Sequence, residues 1–167
     1  ARERLLVAKD EVAYRGVFTI HYPDEERQDA RPVKTSPVYD KLKRMGAVFG
    51  QRYGWERANW FAPEGVEPKD VWSFRRTNYF EHVGNECRRL REKVGVIDLT
   101  PFTKFEVTGV GAEAWLDSLV ANKVPTKVGR IALCHALTQR GGIRSEFTIT
   151  KLADHHYYVV SDCAAER

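Results

Sequence analysis

Three strand-like segments near the end of the chain constrain its fold more than any other feature. Larger residues alternate with small ones in RIALCHALT (130–138), and IRSEFTITKL (143–152) and HHYYVVS (155–161) are typical of a second and a third strand. A period of two residues is typical of a half-buried β-strand, because successive side chains point to opposite faces of the sheet. QRGG forms a turn between the first two segments, and Ala153 and Asp154 join the second to the third. The sequence therefore predicts an antiparallel meander of three strands.

Helical patterns and one further strand precede this meander. In NYFEHVGNECRRLREKVG (78–95) the apolar residues share one helical face, and a glycine marks the end. KFEVTG alternates like a strand, and GAEAWLDSLV is typical of a short helix that buries Trp115, Leu116 and Leu119. The predicted class is therefore α+β, an antiparallel sheet with flanking helices.

The first 70 residues are less regular. VFTIHYP (17–23) alternates in the manner of a strand that stops at a proline. A helix is predicted over 36–49, because Ser36 can cap it, Pro37 suits its first position, and apolar residues follow at helical spacing. FAPEGVEPKD has the proline and glycine content of a linker, so a domain boundary is placed near residue 70.

A cluster of aromatic residues interleaved with charges lies in GQRYGWERANWFAP (50–63). The stretch shows no clean helical or strand period. Two interpretations are open at this point. Aromatic rings between arginines can stack on nucleic-acid bases. Large rings can also anchor two parts of a bigger protein to each other.

Composition sets bounds on the class of protein. Apolar residues make up 43% and charged residues 30%, and the net charge is +4 with both signs mixed along the chain. No apolar run is long enough for a membrane span or a signal peptide. Three widely spaced cysteines indicate reduced thiols, hence the cytoplasm, or the mitochondrial matrix in a eukaryote. The chain starts without a methionine, so we expect a processed chain or a piece of something longer.

Few residues carry a chemical signal on spacing alone. Dinucleotide and P-loop glycine motifs are absent from the sequence. His155 and His156 are adjacent and would point to opposite faces of a strand, so no metal site is predicted. Glu146 follows the Gly-Gly turn on a strand face shared with Arg144, its candidate partner, and with Thr148. A carboxylate there can accept a hydrogen bond or act as a general base toward an amine. His135 is expected to be a hydrogen-bonded core or boundary residue.

Several stretches resemble the FAD-dependent dimethylglycine and sarcosine dehydrogenase family. They are SPVYDKLKRMGAVFGQRYGWERANWFAP, SFRRTNYFEHVGNECRRLREKVGVIDLTPFTKFEVTG, GRIALCHALTQRGGIRSEFTIT and YYVVS. From about residue 72 the chain is similar to the start of that family's folate-binding module, which resembles the aminomethyltransferase (T-protein) of the glycine cleavage system. The resemblance implies that residues 1–70 are the tail of the oxidoreductase part with a connecting segment. Residues 71–167 would be the N-terminal portion of an incomplete aminomethyltransferase-like folate-binding domain.

The same resemblance implies a division of labour. An FAD domain outside this chain would oxidise an N-methyl amine to an iminium, and the folate module would bind tetrahydrofolate and form 5,10-methylenetetrahydrofolate. The expected partners are tetrahydrofolate and the remainder of the oxidoreductase chain, without nucleic acid or membrane, and the segment alone is expected to be inactive. The alternative within the family is a non-catalytic relative, like the pyruvate dehydrogenase phosphatase regulatory subunit. A nucleic-acid-binding module is the less favoured alternative.

Three site residues follow from the resemblance. Glu146 takes the place of a carboxylate near the attacking folate nitrogen, where the glycine-cleavage members usually carry aspartate, and it is the candidate catalytic and folate-binding residue. Asp162 stands where those members place an asparagine, and Asp98 matches a segment that borders the folate cleft. The aromatic stretch falls in a family-like run. The resemblance therefore favours anchors for it, with buried rings at Trp55, Trp60 and Phe61 and a hydrogen-bonded rim at Arg52, Glu56 and Arg57.

Overall fold

The computed structural model describes residues 2–165 and divides the chain into two compact units, Ala1–Asp98 and Leu99–Arg167. The division falls after the helix predicted over 78–95. The assignment of residues 1–70 to an oxidoreductase part and of 71–167 to a folate module stays a prediction.

The first unit combines three helices with one β-hairpin. The helices are α1 (Arg2–Arg15), α2 (Tyr39–Arg44) and α3 (Phe80–Glu92), and the strands are β1 (Ala47–Arg52) and β2 (Trp55–Phe61). Helix α3 confirms the prediction from the apolar spacing of residues 78–95. It ends at Glu92, three residues before the glycine that the sequence pattern marks as its end.

The aromatic stretch is a hairpin rather than an irregular segment. Strands β1 and β2 pair antiparallel across a turn at Tyr53 and Gly54, whose φ angles are 50° and 89°. Positive φ at both central residues is the geometry of the type I′ turn, whose twist suits a two-residue hairpin. A register shift between Val48 and Phe49 interrupts the alternation, which explains why the period is hard to recognise in the sequence.

The helix predicted over 36–49 was wrong at both ends. Helix α2 begins at Tyr39 after Val38, and the buried Ser36 accepts a backbone hydrogen bond from Tyr39 instead of capping with its side chain. The helix ends before Gly46, whose φ of 88° is incompatible with helical continuation. Phe49, placed on the helical face by its spacing, lies in β1.

The strand predicted over residues 17–23 is also wrong. Helix α1 ends at Arg15, and the following residues form turns and loop. Val17, Phe18 and Ile20 are largely exposed, with Phe18 at 98%. Alternation alone does not make a strand, since a strand needs a partner to satisfy its backbone hydrogen bonds, and none of the strands in residues 2–165 pairs with this segment.

Trp60 and a buried ion pair organise the first unit. Trp60 packs with Val48 and Ala62, against the half-buried Tyr79 and Val83. Glu56, predicted to lie at a rim, is 4% exposed. The Arg31 guanidinium donates to both of its carboxylate oxygens, with Nε–Oε1 at 2.9 Å and Nη2–Oε2 at 2.6 Å. A buried charge of this kind is tolerated because it is paired and hydrogen-bonded.

The second unit confirms the antiparallel sheet. Its elements are β3 (Thr103–Thr108), α4 (Ala112–Leu119), β4 (Ile131–Leu137), β5 (Ile143–Ala153), β6 (His156–Ser161) and a short 3₁₀ turn (Cys163–Ala165). The strand order is β3-β6-β5-β4, with every neighbouring pair antiparallel. The predicted meander is therefore present, and β3 extends it by pairing with β6.

The sheet has an inner face and an outer face. Cys134, Ile149, Tyr157 and Val159 point inward and pack with Leu116 of α4. Helix α4 was expected to bury three large side chains, but Trp115 and Leu119 are 56% and 44% exposed. The outer face carries the larger residues of β4 (Ile131, Leu133 and Leu137) at 64%, 53% and 45% exposure. This unit thus covers only one face of its sheet, and its small β4 residues are the ones that face the helix.

Two general expectations can be compared with the described residues. The three cysteines stand outside any disulfide in the described residues, with Cys134 and Cys163 buried and Cys87 exposed. Within residues 2–165, every helix is too short or too polar to cross a membrane.

Candidate functional site

A cleft of about 770 Å³ opens in the second unit along β5 and the end of β6. Apolar side chains from several elements contribute to its lining, together with carboxylates and hydroxyls. The lining residues that matter for the chemistry are Phe102, Leu133, Arg144, Glu146, Ser161 and Asp162. The site therefore combines apolar surface with a few convergent polar groups, as small-molecule sites do.

Glu146 lies in the first half of β5, on the outer face of the sheet. The strand alternates as predicted, with Phe147 and Ile149 toward the core and Glu146 on the face of Thr148. The Glu146 side chain is 61% exposed, so its carboxylate is open to a ligand in the cleft. Its partner is His135 of β4, whose Nε2 lies 3.0 Å from Oε2 of the carboxylate. The pairing with Arg144 that the sequence pattern indicated is therefore wrong.

The cross-strand register explains why His135 is the partner. His135 lies directly opposite Glu146 in the β4–β5 ladder. Directly opposed residues in an antiparallel pair share a face and lie close together. The sequence placed His135 on a strand face and expected a hydrogen bond, but the register of the turn was needed to identify Glu146 as its partner.

Strand β6 fixes the backbone at Glu146 from the other side. The Ser161 hydroxyl donates a hydrogen bond of 3.0 Å to the Glu146 carbonyl. Asp162 follows directly and is exposed in the cleft. Its Oδ1 accepts a hydrogen bond of 2.8 Å from the Ala164 backbone, and its carbonyl accepts one of 3.0 Å from the Thr103 hydroxyl. The cleft therefore brings two of the predicted site residues, Glu146 and Asp162, together.

Asp98, the third predicted site residue, is the last residue of the first unit and is half-buried. Its contribution to a folate site stays a prediction. Among the described residues, no group of three histidine, cysteine, aspartate or glutamate side chains is placed to hold a metal ion.

A second polar cluster ties α4 to the sheet. Lys151 Nζ donates a hydrogen bond of 2.8 Å to Oε2 of Glu113, and the Tyr157 hydroxyl donates to the same oxygen. The hydrogen bonds from Lys151 and then Tyr157 lower the pKa of the Glu113 carboxyl. The bond to Glu113 raises the pKa of the Lys151 ammonium. The three side chains hydrogen-bond to one another, so the cluster serves to join α4 to the sheet.

The chain is similar to several known proteins. A family model described as the GCVT N-terminal domain matches residues 38–167. The chain is 38% identical over 148 residues to mitochondrial dimethylglycine dehydrogenase of Mus musculus, an alignment covering 88% of this chain and 17% of that protein. It is 31% identical over 150 residues to the mitochondrial pyruvate dehydrogenase phosphatase regulatory subunit of Mus musculus. This alignment covers 87% of this chain and 17% of that protein. The chain thus spans less than a fifth of the length of these relatives.

A solved structure shows the same fold. The glycine cleavage system aminomethyltransferase T from Bartonella henselae superposes with a TM-score of 0.60 at 22% identity, covering 78% of this chain and 32% of that one. At that identity the likeness is one of fold. It confirms the predicted α+β fragment of an aminomethyltransferase-like fold.

Proposed function

Because this chain belongs to the GCVT N-terminal domain family, we propose that it is the part of a flavin-dependent N-methyl amine dehydrogenase that binds tetrahydrofolate. The resemblance to dimethylglycine and sarcosine dehydrogenases is confirmed by relatives that carry those names. The flavin would be FAD, bound outside the chain. The folate part would capture the one-carbon unit as 5,10-methylenetetrahydrofolate.

One observation carries the proposal: a carboxylate stands in an open cleft four residues after a Gly-Gly turn. Glu146 is exposed in the first half of β5, and its backbone and side chain are each held by a neighbouring strand. The side chain therefore projects into the cleft from a rigid strand rather than from a mobile loop. A fixed carboxylate of this kind can accept a hydrogen bond or a proton from the nitrogen of a bound amine.

The other lining residues fit a folate-like molecule. Tetrahydrofolate has a flat ring system rich in N–H donors and a tail of carboxylates. Glu146 and Asp162 supply acceptors for such donors, and Phe102 and Leu133 supply apolar surface for the rings. Arg144 at the cleft wall supplies a cation suited to a carboxylate. The bound tetrahydrofolate would supply the nucleophilic nitrogen, and this chain would orient that nitrogen and accept its proton at Glu146.

The regulatory-subunit alternative uses the same fold without the chemistry. Its relative is less similar to this chain than dimethylglycine dehydrogenase is, at 31% against 38% identity over nearly equal lengths. Flavin reduction by an N-methyl amine in the full-length protein separates the two functions, because only the dehydrogenase would show it.

The test uses the full-length protein and its Glu146→Ala variant. Flavin reduction by dimethylglycine or sarcosine should proceed at the same rate in both, since Glu146 belongs to the folate part. Capture of the one-carbon unit by tetrahydrofolate should fall at least about tenfold in the variant, because a positioned base contributes about 10²–10⁴-fold. The measurements are anaerobic flavin absorbance and the ratio of methylenetetrahydrofolate to free formaldehyde.

Glu106→Ala is the matched control. Glu106 is a carboxylate of β3 in the same sheet, with a side chain 65% exposed against 61% for Glu146. Capture should be unchanged in this control. Equal capture by the Glu146→Ala variant and the wild type would refute the role assigned to Glu146. Failure of the wild type to bind tetrahydrofolate would refute the function itself.

A further inference from the structure

We propose that His135 is a positioning residue for Glu146, holding the carboxylate toward the cleft from the neighbouring strand. The inference rests on the proposed function for the identity of the ligand, while the pair itself is a property of the sheet. His135 does not line the cleft; it contacts the residue that does. Its role is therefore to act through Glu146.

The direction of the hydrogen bond follows from the chemistry of the two groups. An ionised carboxylate only accepts hydrogen bonds, so the hydrogen lies on Nε2 of His135 and is donated to Oε2. This occupies one carboxylate oxygen and leaves the lone pairs of the other oxygen for a ligand. A glutamate has three side-chain torsions, and at 61% exposure packing does little to restrict them. A hydrogen bond from a fixed partner supplies that restriction.

Both backbone polar groups of His135 are hydrogen-bonded along the outer edge of β4. Its carbonyl accepts a hydrogen bond of 2.8 Å from the Ala121 backbone, and its N–H donates one of 3.3 Å to the Asn122 side chain. Asn122 also donates to the Leu133 carbonyl at 2.8 Å. The segment after α4 thus pairs with the outer edge of β4 at His135. The imidazole stands on an edge strand whose backbone is clamped, which suits it to fix the position of a partner.

The same sheet contains a second histidine–glutamate pair that serves as a control. His156 Nε2 lies 3.6 Å from Glu106 Oε2, too far for a hydrogen bond. The side chains of His156 and His135 are 33% and 31% exposed, and those of the two glutamates 65% and 61%. Neither His156 nor Glu106 lines the cleft. The two pairs have similar exposure, but only His135 and Glu146 are joined by a hydrogen bond, and only their pair lies beside the cleft.

The experiment measures the Kd of tetrahydrofolate for the full-length protein and its variants by calorimetry. His135→Ala should weaken binding about fivefold, as expected for the loss of one hydrogen bond to a charged group that is partly exposed. His135→Gln should restore the affinity to within about twofold, because the glutamine amide can donate from nearly the position of Nε2. His156→Ala should leave the Kd unchanged. In a Glu146→Ala background, His135→Ala should have no further effect, which a merely structural role would not produce.

A folate-free crystal structure of the His135→Ala variant tests the pair independently. The Glu146 carboxylate should leave its wild-type position or become disordered. If tetrahydrofolate binds the wild type and Glu146→Ala weakens it, but His135→Ala binds as the wild type does, the positioning role is refuted and the function stands. If tetrahydrofolate does not bind the wild type, the function falls. In that case a displaced Glu146 carboxylate in the His135→Ala crystal structure still supports the positioning of Glu146 by His135. An undisturbed carboxylate refutes it.

Discussion

The indole Nε1 of Trp60 donates a hydrogen bond of 2.8 Å to Oδ1 of Asp70. This bond ties β2 to the loop that precedes α3. The Trp60 ring also stacks on His82 of α3 with 5.4 Å between centroids, and it is 1% exposed. The burial predicted for Trp60 is thus confirmed, whereas Trp55 and Phe61 are half-buried.

Replacing Trp60 with alanine should destabilise the first unit by about 3–5 kcal/mol, the usual cost of removing a buried tryptophan. The change removes the stacking partner of His82 and leaves Asp70 without its indole donor. Tyr53→Asn is the control in the same hairpin, because Tyr53 is 61% exposed and asparagine tolerates its positive φ. Urea unfolding followed by circular dichroism measures both. A midpoint for the Trp60→Ala variant equal to that of the control would contradict the anchor role.

The buried ion pair should respond strongly to loss of one partner. Arg31 and Glu56 have side chains 7% and 2% exposed. Glu56→Ala should therefore cost about 3 kcal/mol, since it leaves the buried guanidinium with only the longer, 3.8 Å ion pair to Glu26. The exposed pair of Arg15 and Glu11, at 3.7 Å, provides the comparison. Glu11→Ala should change the unfolding free energy by less than about 0.5 kcal/mol. Similar losses in the two variants would show that Arg31 is solvated.

The Glu113 cluster should make the second unit sensitive to acid. The hydrogen bond from Lys151 holds the pKa of Glu113 below its ordinary value of 4.5. A carboxyl whose pKa is lower in the folded than in the unfolded protein stabilises the folded state at every pH above its unfolded-state pKa. This stabilisation is lost as the pH falls from about 4.5 through the folded-state pKa. Glu113→Gln should thus be less stable than wild type above about pH 5, with the difference vanishing in acid. Thermal melts from pH 2 to 7 check this, with Glu106→Gln as the control. A difference independent of pH would contradict it.

Two glycines with similar backbone angles should respond differently to alanine. Gly46 and Gly65 have φ of 88° and 83°. A Cβ at Gly46 would overlap the backbone carbonyl of Ala62, whereas at Gly65 it meets open space. Gly65→Ala should therefore cost about 1 kcal/mol from backbone strain alone, and Gly46→Ala should cost several times more. The unfolding free energies of the two variants, measured with a chemical denaturant, separate the cost of backbone strain from the cost of steric overlap with Ala62. Equal losses would show that the loop at Ala62 yields freely.

The second unit was more predictable from sequence than the first. Strand β4 alternates between larger and small side chains, β5 alternates between polar and apolar ones over residues 146–149, and glycines mark the turn between the two strands. The hairpin at residues 47–61 was missed because a register shift at Val48 breaks its period. In addition, Phe49 happens to continue the helical spacing of the preceding residues. Glu56 is predicted at a hydrogen-bonded rim, and its burial is not visible in the sequence because its partner Arg31 lies 25 residues away.

The site was half visible in the sequence. Glu146 and Asp162 were singled out by resemblance, and both lie in the cleft. The contact between Glu146 and His135 depends on strand register, which a turn of uncertain length leaves open in the sequence. Counting outward from the Gly-Gly turn without a bulge pairs His135 with Ser145 instead of Glu146. The bulge between Ala136 and Leu137 offsets that count by one residue.

The strand order also has a consequence for the order of events during synthesis. Strand β3 pairs with β6, and Thr108 lies opposite His156. About 50 residues must leave the ribosome after β3 before its partner exists, which takes several seconds at about 5–20 residues per second. The β4–β5 hairpin has no such delay, because its two strands are local in sequence. Since β6 and the turn after it supply Val160, Ser161 and Asp162, this wall of the cleft forms only after β6 has been synthesised.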